Sequence, residues 1–120
     1  MLKWFKHKDY PEYWNSYSNL FKKKNTSEIN KTRFVIFDTE TTGLNPKNDR
    51  ILSIGAISVI GNKINIADSF EMYLKQETFN SNTVEIHGIL KDGNITKYKE
   101  KESIIKFLNY IKDSILVAHH

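Results

Sequence analysis

The sequence predicts an α/β domain preceded by a short helical arm, and three observations predict it. Short apolar runs (RFVIFD, ILSIGAISVI, SILVA) surround a single well-formed amphipathic helix pattern. A Gly61-Asn62 pair joins the second run to a further strand-like run, the signature of a two-residue hairpin. Composition also changes near residue 31, from aromatic and lysine-rich to an ordinary globular mixture. At 120 residues, with 39% hydrophobic and 27% charged content, the chain can bury one modest core.

Residues 1–31 form the arm. They hold seven of the aromatic residues (Trp4, Phe5, Tyr10, Tyr13, Trp14, Tyr17, Phe21) and then the polar stretch KKKNTSEINK. Asp9, followed by Pro11 and Glu12, resembles a helix start. Tyr13 and Tyr17, with Leu20 or Phe21, would then share one face. That face either packs onto the following domain or serves as an arm for a partner or for stacking nucleic-acid bases. Lys3, Lys6, Lys8, Lys22, Lys23, Lys24 and Lys31 outnumber Asp9, Glu12 and Glu28, and this excess equals the whole net charge of +4. Residues 32–120 are therefore about neutral. Such mild basicity is compatible with a polyanionic partner without requiring one.

Residues 32–120 form the domain. RFVIFD is continuously apolar, as expected of a strand buried on both faces. NPKNDR is a polar turn, and ILSIGAISVI is a second strand. KINIADSFEMYLK returns antiparallel after the hairpin. Asn80–Ile95 is a loop region with room for one helical turn near Thr83–Ile86. From Tyr98 to Lys112, Ile104, Phe107, Leu108 and Ile111 recur at helical spacing, with charged residues elsewhere. Ser114–Ala118 then opens another buried strand, expected to lie parallel to an earlier one inside the sheet. With one helix for cover, this order resembles the first part of a larger domain, stopping after a fourth strand.

Several classes of protein are excluded or disfavoured. The chain has no cysteine, so neither a disulfide scaffold nor Cys-ligated zinc is possible. No apolar run approaches the ~20 residues of a membrane span, and the first residues lack a secretory apolar core. No membrane association is expected, and a cytoplasmic location is the default. Nothing resembles a phosphate-binding glycine run.

The chemistry concentrates in FDTETTGL, Phe37 to Leu44. Residues two apart on a strand point to one face, so Asp38 and Glu40 would project together from the end of a buried strand. Adjacent carboxylates repel, and keeping both ionised calls for a cation. Oxygen ligands of this kind suit Mg²⁺ or Mn²⁺, and a pair of such ions ~4 Å apart can drive phosphodiester cleavage. The threonine hydroxyls and the backbone N–H groups near Gly43 could hold a phosphate or a sugar hydroxyl. The competing reading is a polar strand end in which Asp and Thr satisfy the loop and Gly43 supplies the turn. Spacing alone leaves both open.

FDTETTGL resembles the first motif of the DEDDh 3′–5′ exonucleases, the type found as the proofreading epsilon subunit of bacterial DNA polymerase III. RILSIGAISV, TVEIHGI and ILVAHH are similar, in order and spacing, to three further family segments, so the resemblance covers roughly Thr32 to His120. It implies an RNase H-like mixed sheet with flanking helices, and two-metal removal of nucleotides from a 3′ end, single-stranded DNA before RNA. By that resemblance Asp38 would bridge two Mg²⁺ (or Mn²⁺) ions and Glu40 would bind one of them. Thr39, Thr41 and Thr42 would line the terminal nucleotide, and Leu44 would wedge against its base. His87 would approach that nucleotide, with Asn82 nearby; taken alone, His87 is as readily a loop histidine bonded to backbone. The resemblance also makes a DNA polymerase a candidate partner.

The family motif requires four carboxylates and a histidine base, and this sequence matches two of the carboxylates. The second-motif Asp would fall just beyond His120, and the remaining His and Asp much further on. Asp92 and Asp113 lie in loop or helix-end contexts, and His120 stands where the family more often has Asn. The 120-residue chain is accordingly expected to be inactive or nearly so, although its parent is an exonuclease. The alternative is a non-catalytic exonuclease-like module whose arm binds a polymerase or another partner.

Overall fold

The structure is a computed structural model that describes residues 9–23, 27–77, 80, 82, 84–89 and 93–119. Expectations placed on Trp4, Phe5, Thr83, Asp92 and His120 lie outside the described residues. The hairpin forms as expected. β1 (Phe34–Thr41) pairs antiparallel with β2 (Ile51–Ile60), and β2 pairs antiparallel with β3 (Lys63–Leu74). Gly61 and Asn62 both take positive φ, 55° and 62°, which is what a two-residue turn between right-twisted strands demands.

Two further strands complete a five-stranded sheet of order β4-β3-β2-β1-β5. β4 (Lys97–Tyr98) is a two-residue strand parallel to β3, with no apolar run to signal it in the sequence. β5 (Ile115–Val117) lies parallel to β1, the geometry expected of a strand reached through a helical crossover. The helix in question is α3 (Glu100–Ile111), slightly shorter than its sequence pattern. α2 (Val84–His87) is a single turn, and α1 (Glu12–Asn19) opens the arm. Among the described residues no helix is long and apolar enough to cross a membrane.

The core lies on one side of the sheet. Val35, Leu52, Ile54, Met72 and Leu74 are buried there, and Phe107 of α3 meets Phe37 and Phe70 at ring-centroid distances of 5.6 and 5.5 Å. Two expectations are corrected by this arrangement. β1 is not buried on both faces: Ile36 is 38% exposed, because the single long helix covers only the Val35–Phe37 face. β5 is neither buried nor internal. It forms the sheet edge next to β1, with Ile115, Leu116 and Val117 all exposed.

Arg33 fastens the two ends of this unit. Its Nε and Nη2 donate to Asp68 Oδ2 at 3.0 and 2.8 Å, and Nη1 donates to Tyr110 O and Ser114 Oγ at 2.9 and 2.7 Å. The guanidinium also lies 4.8 Å from the centre of the Tyr110 ring. One arginine thus ties β1, β3, the end of α3 and the approach to β5.

The arm begins one step later than its sequence suggests. Pro11, not Asp9, is the N-cap, and its carbonyl accepts from the N–H groups of Trp14 and Asn15. The turn side of α1 leans on α3, where Pro11, Tyr13 and Ser16 face Lys101, Ile105 and Leu108 across a shared hollow. Burial, together with nearby Asp113, pushes the Tyr17 hydroxyl above its ordinary pKa.

Candidate active site

Alternation along β1 sends Asp38 and Glu40 to the face that α3 leaves open. Across the ladder, Asp38 pairs with Gly55 and Gly55 with Glu71, while Glu40 pairs with Ser53 and Ser53 with Tyr73. Three strands therefore present a row of acid, glycine, acid beside a row of acid, hydroxyl, phenol. Gly55 is the reason the row is concave: a Cβ placed there meets nothing within 4 Å. The resulting hollow, about 260 Å³, is lined by Asp38, Glu40, Gly55, Glu71, Tyr73 and His87 among others.

His87 reaches this hollow from α2. Its Nδ1 accepts the Ile89 N–H at 2.9 Å, which fixes the tautomer of the neutral ring with hydrogen on Nε2. Nε2 is thereby the donor atom of the ring at a site otherwise rich in carboxylate acceptors. Positive φ at Gly88, 68°, makes the return from His87 to buried Ile89 possible.

Glu71 and Tyr73 escaped the sequence reading. Tyr73 Oη donates to Glu71 Oε1 at 2.8 Å, and that bond is the main reason the phenol is held above its ordinary pKa. The sequence carried no signal for them: the plain hairpin pairing would set Asp68 opposite Gly55, and only the register shift between Ile57 and Ser58 brings Glu71 there. His119 is a second surprise. With Ile36 paired to Val117, the parallel register carries it alongside Asp38, where it lines a shallow hollow with Ile36, Gly55 and Ile57.

The loop after Glu40 is organised by Asp49. Its Oδ1 accepts from the Thr42 hydroxyl and its Oδ2 from the Asn45 N–H, both at 2.8 Å. Thr42 Oγ1 in turn accepts from the Arg50 N–H at 3.0 Å. Gly43 is required because a Cβ there would stand 2.5 Å from Asp49 Oδ2. The Asn80 amide donates to Thr42 O and so moors the stretch leading to α2 against this loop.

The residues expected to contact a nucleotide are thus distributed unevenly. Asp38, Glu40 and His87 come together in one hollow. Thr41 and Leu44 line a different hollow, walled by Glu100 and Ile104 of α3, and Leu44 is 98% exposed. Thr42 is fully buried with its hydroxyl committed to Asp49, and by alternation Thr39 shares the covered face of Val35 and Phe37. Asn82 is exposed, its N–H donating to Asn80 Oδ1.

The donor chemistry at Asp38 and Glu40 suits a hard divalent cation, since both offer carboxylate oxygens on an open face. Among the described residues no three His, Asp or Glu side chains gather closely enough to hold an ion.

Known proteins share this arrangement. The exonuclease family profile of the RNase T type matches residues 35–120. The DNA polymerase III epsilon subunit of Buchnera aphidicola (subspecies Acyrthosiphon pisum) is 37% identical over 98 residues, covering 77% of this chain and 41% of that protein. The PolC-type DNA polymerase III of Thermotoga maritima is 35% identical over 95 residues, covering 78% of this chain and 7% of that protein. Among solved structures, a 3′-exonuclease described in 3′-end recognition of histone mRNA stem-loop aligns with TM-score 0.62 at 17% identity, covering 90% of this chain and 43% of the other. Cell-death related nuclease 4 aligns with TM-score 0.57 at 21% identity, covering 68% of this chain and 30% of the other. The last two establish the RNase H-like fold, and the profile match, spanning most of the chain, establishes that this protein belongs to the exonuclease family.

Proposed function

We propose that the chain is the N-terminal part of a 3′–5′ exonuclease of the polymerase III epsilon type, acting on nucleic acid and on single-stranded DNA by preference. The observation that carries this reading is the meeting of Asp38, Glu40 and His87 in one hollow at the end of β1. Asp38 and Glu40 would hold divalent Mg²⁺ or Mn²⁺, two ions in the complete site, which supply an activated water and charge stabilisation at the leaving oxygen. His87, with hydrogen on Nε2, donates to an oxygen of the terminal nucleotide. Leu44 carries a large apolar side chain with no partner to satisfy by folding, which suits a wedge against the terminal base. Thr41 and Asn82 would approach the terminal nucleotide from outside the hollow, while Thr39 and Thr42 contribute through the backbone and the loop they stabilise. Residues 32–120 are the exonuclease part and residues 1–31 a separate arm. A DNA polymerase is the protein partner suggested by the relatives, and the cytoplasm the corresponding location.

The chain spans about two fifths of the Buchnera relative, 41%. Two carboxylates hold a divalent ion weakly. The 120-residue chain is therefore inactive or nearly so. The same observation favours the second reading, a non-catalytic exonuclease-like module. Incubation with Mn²⁺ and labelled single-stranded DNA tests the first part: no ladder is expected, and robust laddering abolished by Asp38→Ala would overturn the claim of inactivity. Reading the frame downstream of His120 separates the two readings. An Asp about four codons on, with a later His and Asp, supports the exonuclease, and an immediate stop supports the module.

A further inference from the structure

The arm carries a feature that the hollow at Asp38 does not use. Tyr10, Trp14, Tyr17 and Phe21 form a continuous ladder of rings, with successive centroids 6.3, 5.7 and 5.2 Å apart. Tyr10, Trp14 and Phe21 are 51%, 40% and 52% exposed, although rings of this size are usually drawn inside. Tyr13 lines the hollow shared with α3, and of the ladder only Tyr17 is half-buried, beside Asp113. The ladder runs along about 16 Å of helix axis.

Its chemistry is that of a polyanion surface. From Tyr13 to Ser27 there is no acid, and Lys22 and Lys23 follow directly on Phe21. The arm holds the entire net positive charge of the chain, so phosphates would be drawn to it and not to the neutral domain. The arm packs on α3, away from the open sheet face that carries Asp38 and Glu40. In the first turns of α3, Lys101 and Ile105 face Pro11 and Tyr13, while Glu100 and Ile104 face Leu44 and Thr41.

We propose that the Tyr10–Trp14–Tyr17–Phe21 ladder is a stacking platform for single-stranded nucleic acid, separate from the metal site, with Lys22 and Lys23 on the phosphates. It rests on the functional reading above only in sharing that substrate class. Every base has a π-face, so the platform binds with little sequence preference and with strong salt dependence. It needs no divalent ion. It holds the strand independently of the terminal nucleotide.

The test is fluorescence anisotropy of a labelled oligothymidylate with the full chain in EDTA. Binding is expected, weakened about 5-fold or more by Trp14→Ala and likewise by Phe21→Ala. Trp14→Tyr should restore most of the affinity, and Trp14→Leu, equally apolar but unable to stack, should not. Replacing Lys22 and Lys23 by glutamine should flatten the dependence of log affinity on log salt by about one unit or more. Because these side chains are exposed, circular dichroism and the thermal midpoint should stay at their wild-type values. No binding in EDTA, or unchanged binding by both ring variants, overturns the proposal and leaves a protein as the occupant of this face. Asp38→Ala should leave EDTA binding intact, so failure of the metal site and failure of the platform read out separately.

Discussion

Arg33 offers the sharpest test of how the sheet is held, because one side chain bridges four elements. Arg33→Ala removes the two-pronged contact with Asp68 and the donors to Tyr110 O and Ser114 Oγ. The Asp68 side chain is 37% exposed and recovers solvation when the arginine is lost, so that half of the contact counts for less than 1 kcal/mol. The carbonyl of Tyr110 and the hydroxyl of Ser114 sit in a part-buried setting and lose charge-assisted bonds, each about 1–1.5 kcal/mol. The alkyl stem and the stacking on Tyr110 add about 0.5–1 kcal/mol. The expected loss is about 3 kcal/mol. Urea unfolding followed by circular dichroism reads it directly: with a slope of about 1–3 kcal/mol per molar urea, the midpoint should fall by roughly 1–3 M. Arg33→Lys should recover only part, since an ammonium cannot span Asp68 and the α3 carbonyl together. A loss under about 0.5 kcal/mol for Arg33→Ala would refute the claim that this residue holds β5 against β1.

Three further outcomes follow from local geometry. Gly43→Ala should cost about 1–3 kcal/mol by driving a methyl into the Asp49 carboxylate, and Asp49→Ala about 2 kcal/mol by stranding the Thr42 hydroxyl; together they should cost less than their sum, as a double-mutant cycle in urea will show. Asp68 is held below its ordinary pKa of 3.8, chiefly by the Ser58 hydroxyl beside it and also by the Arg33 guanidinium, although Ser58 Oγ makes no hydrogen bond of good geometry. A depressed folded pKa means its contribution is complete above about pH 4 and is lost as pH falls through the folded value, so the acid-side loss of urea midpoint should be smaller in Asp68→Asn than in the wild type. Lys112 closes α3 with φ 48° and ψ −132°, a conformation that favours glycine, so Lys112→Gly should raise the thermal midpoint by the equivalent of about 1 kcal/mol.

Much of this was legible in the sequence, for identifiable reasons. Gly61-Asn62 set the hairpin and the pairing next to the turn, but a register shift between Ile57 and Ser58, which the sequence did not signal, sets the pairing at the site. The i, i+3, i+4, i+7 run from Ile104 to Ile111 found α3. D-x-E after an apolar run put Asp38 and Glu40 on one face, because alternation depends on the backbone alone. What stayed hidden depended on long-range pairing. Glu71 enters the site only through Gly55, a neighbour on another strand, and His119 only through the parallel register of β5 with β1. The apolar runs at Ile36 and Ile115–Val117 were read as buried because hydrophobicity reports a preference for burial and not whether a covering element is present. Thr42 looked like a ligand residue, and its partner Asp49, seven positions on, takes that hydroxyl instead.

The central claim is that Asp38 and Glu40 form part of a divalent-metal site on the open face of the sheet. Paramagnetic broadening of amide signals by sub-stoichiometric Mn²⁺ measures this on the chain as it stands. The signals of Asp38, Glu40 and Gly55 should broaden first, and Asp38→Ala should remove that selectivity. Identical broadening in the wild type and in Asp38→Ala would contradict it.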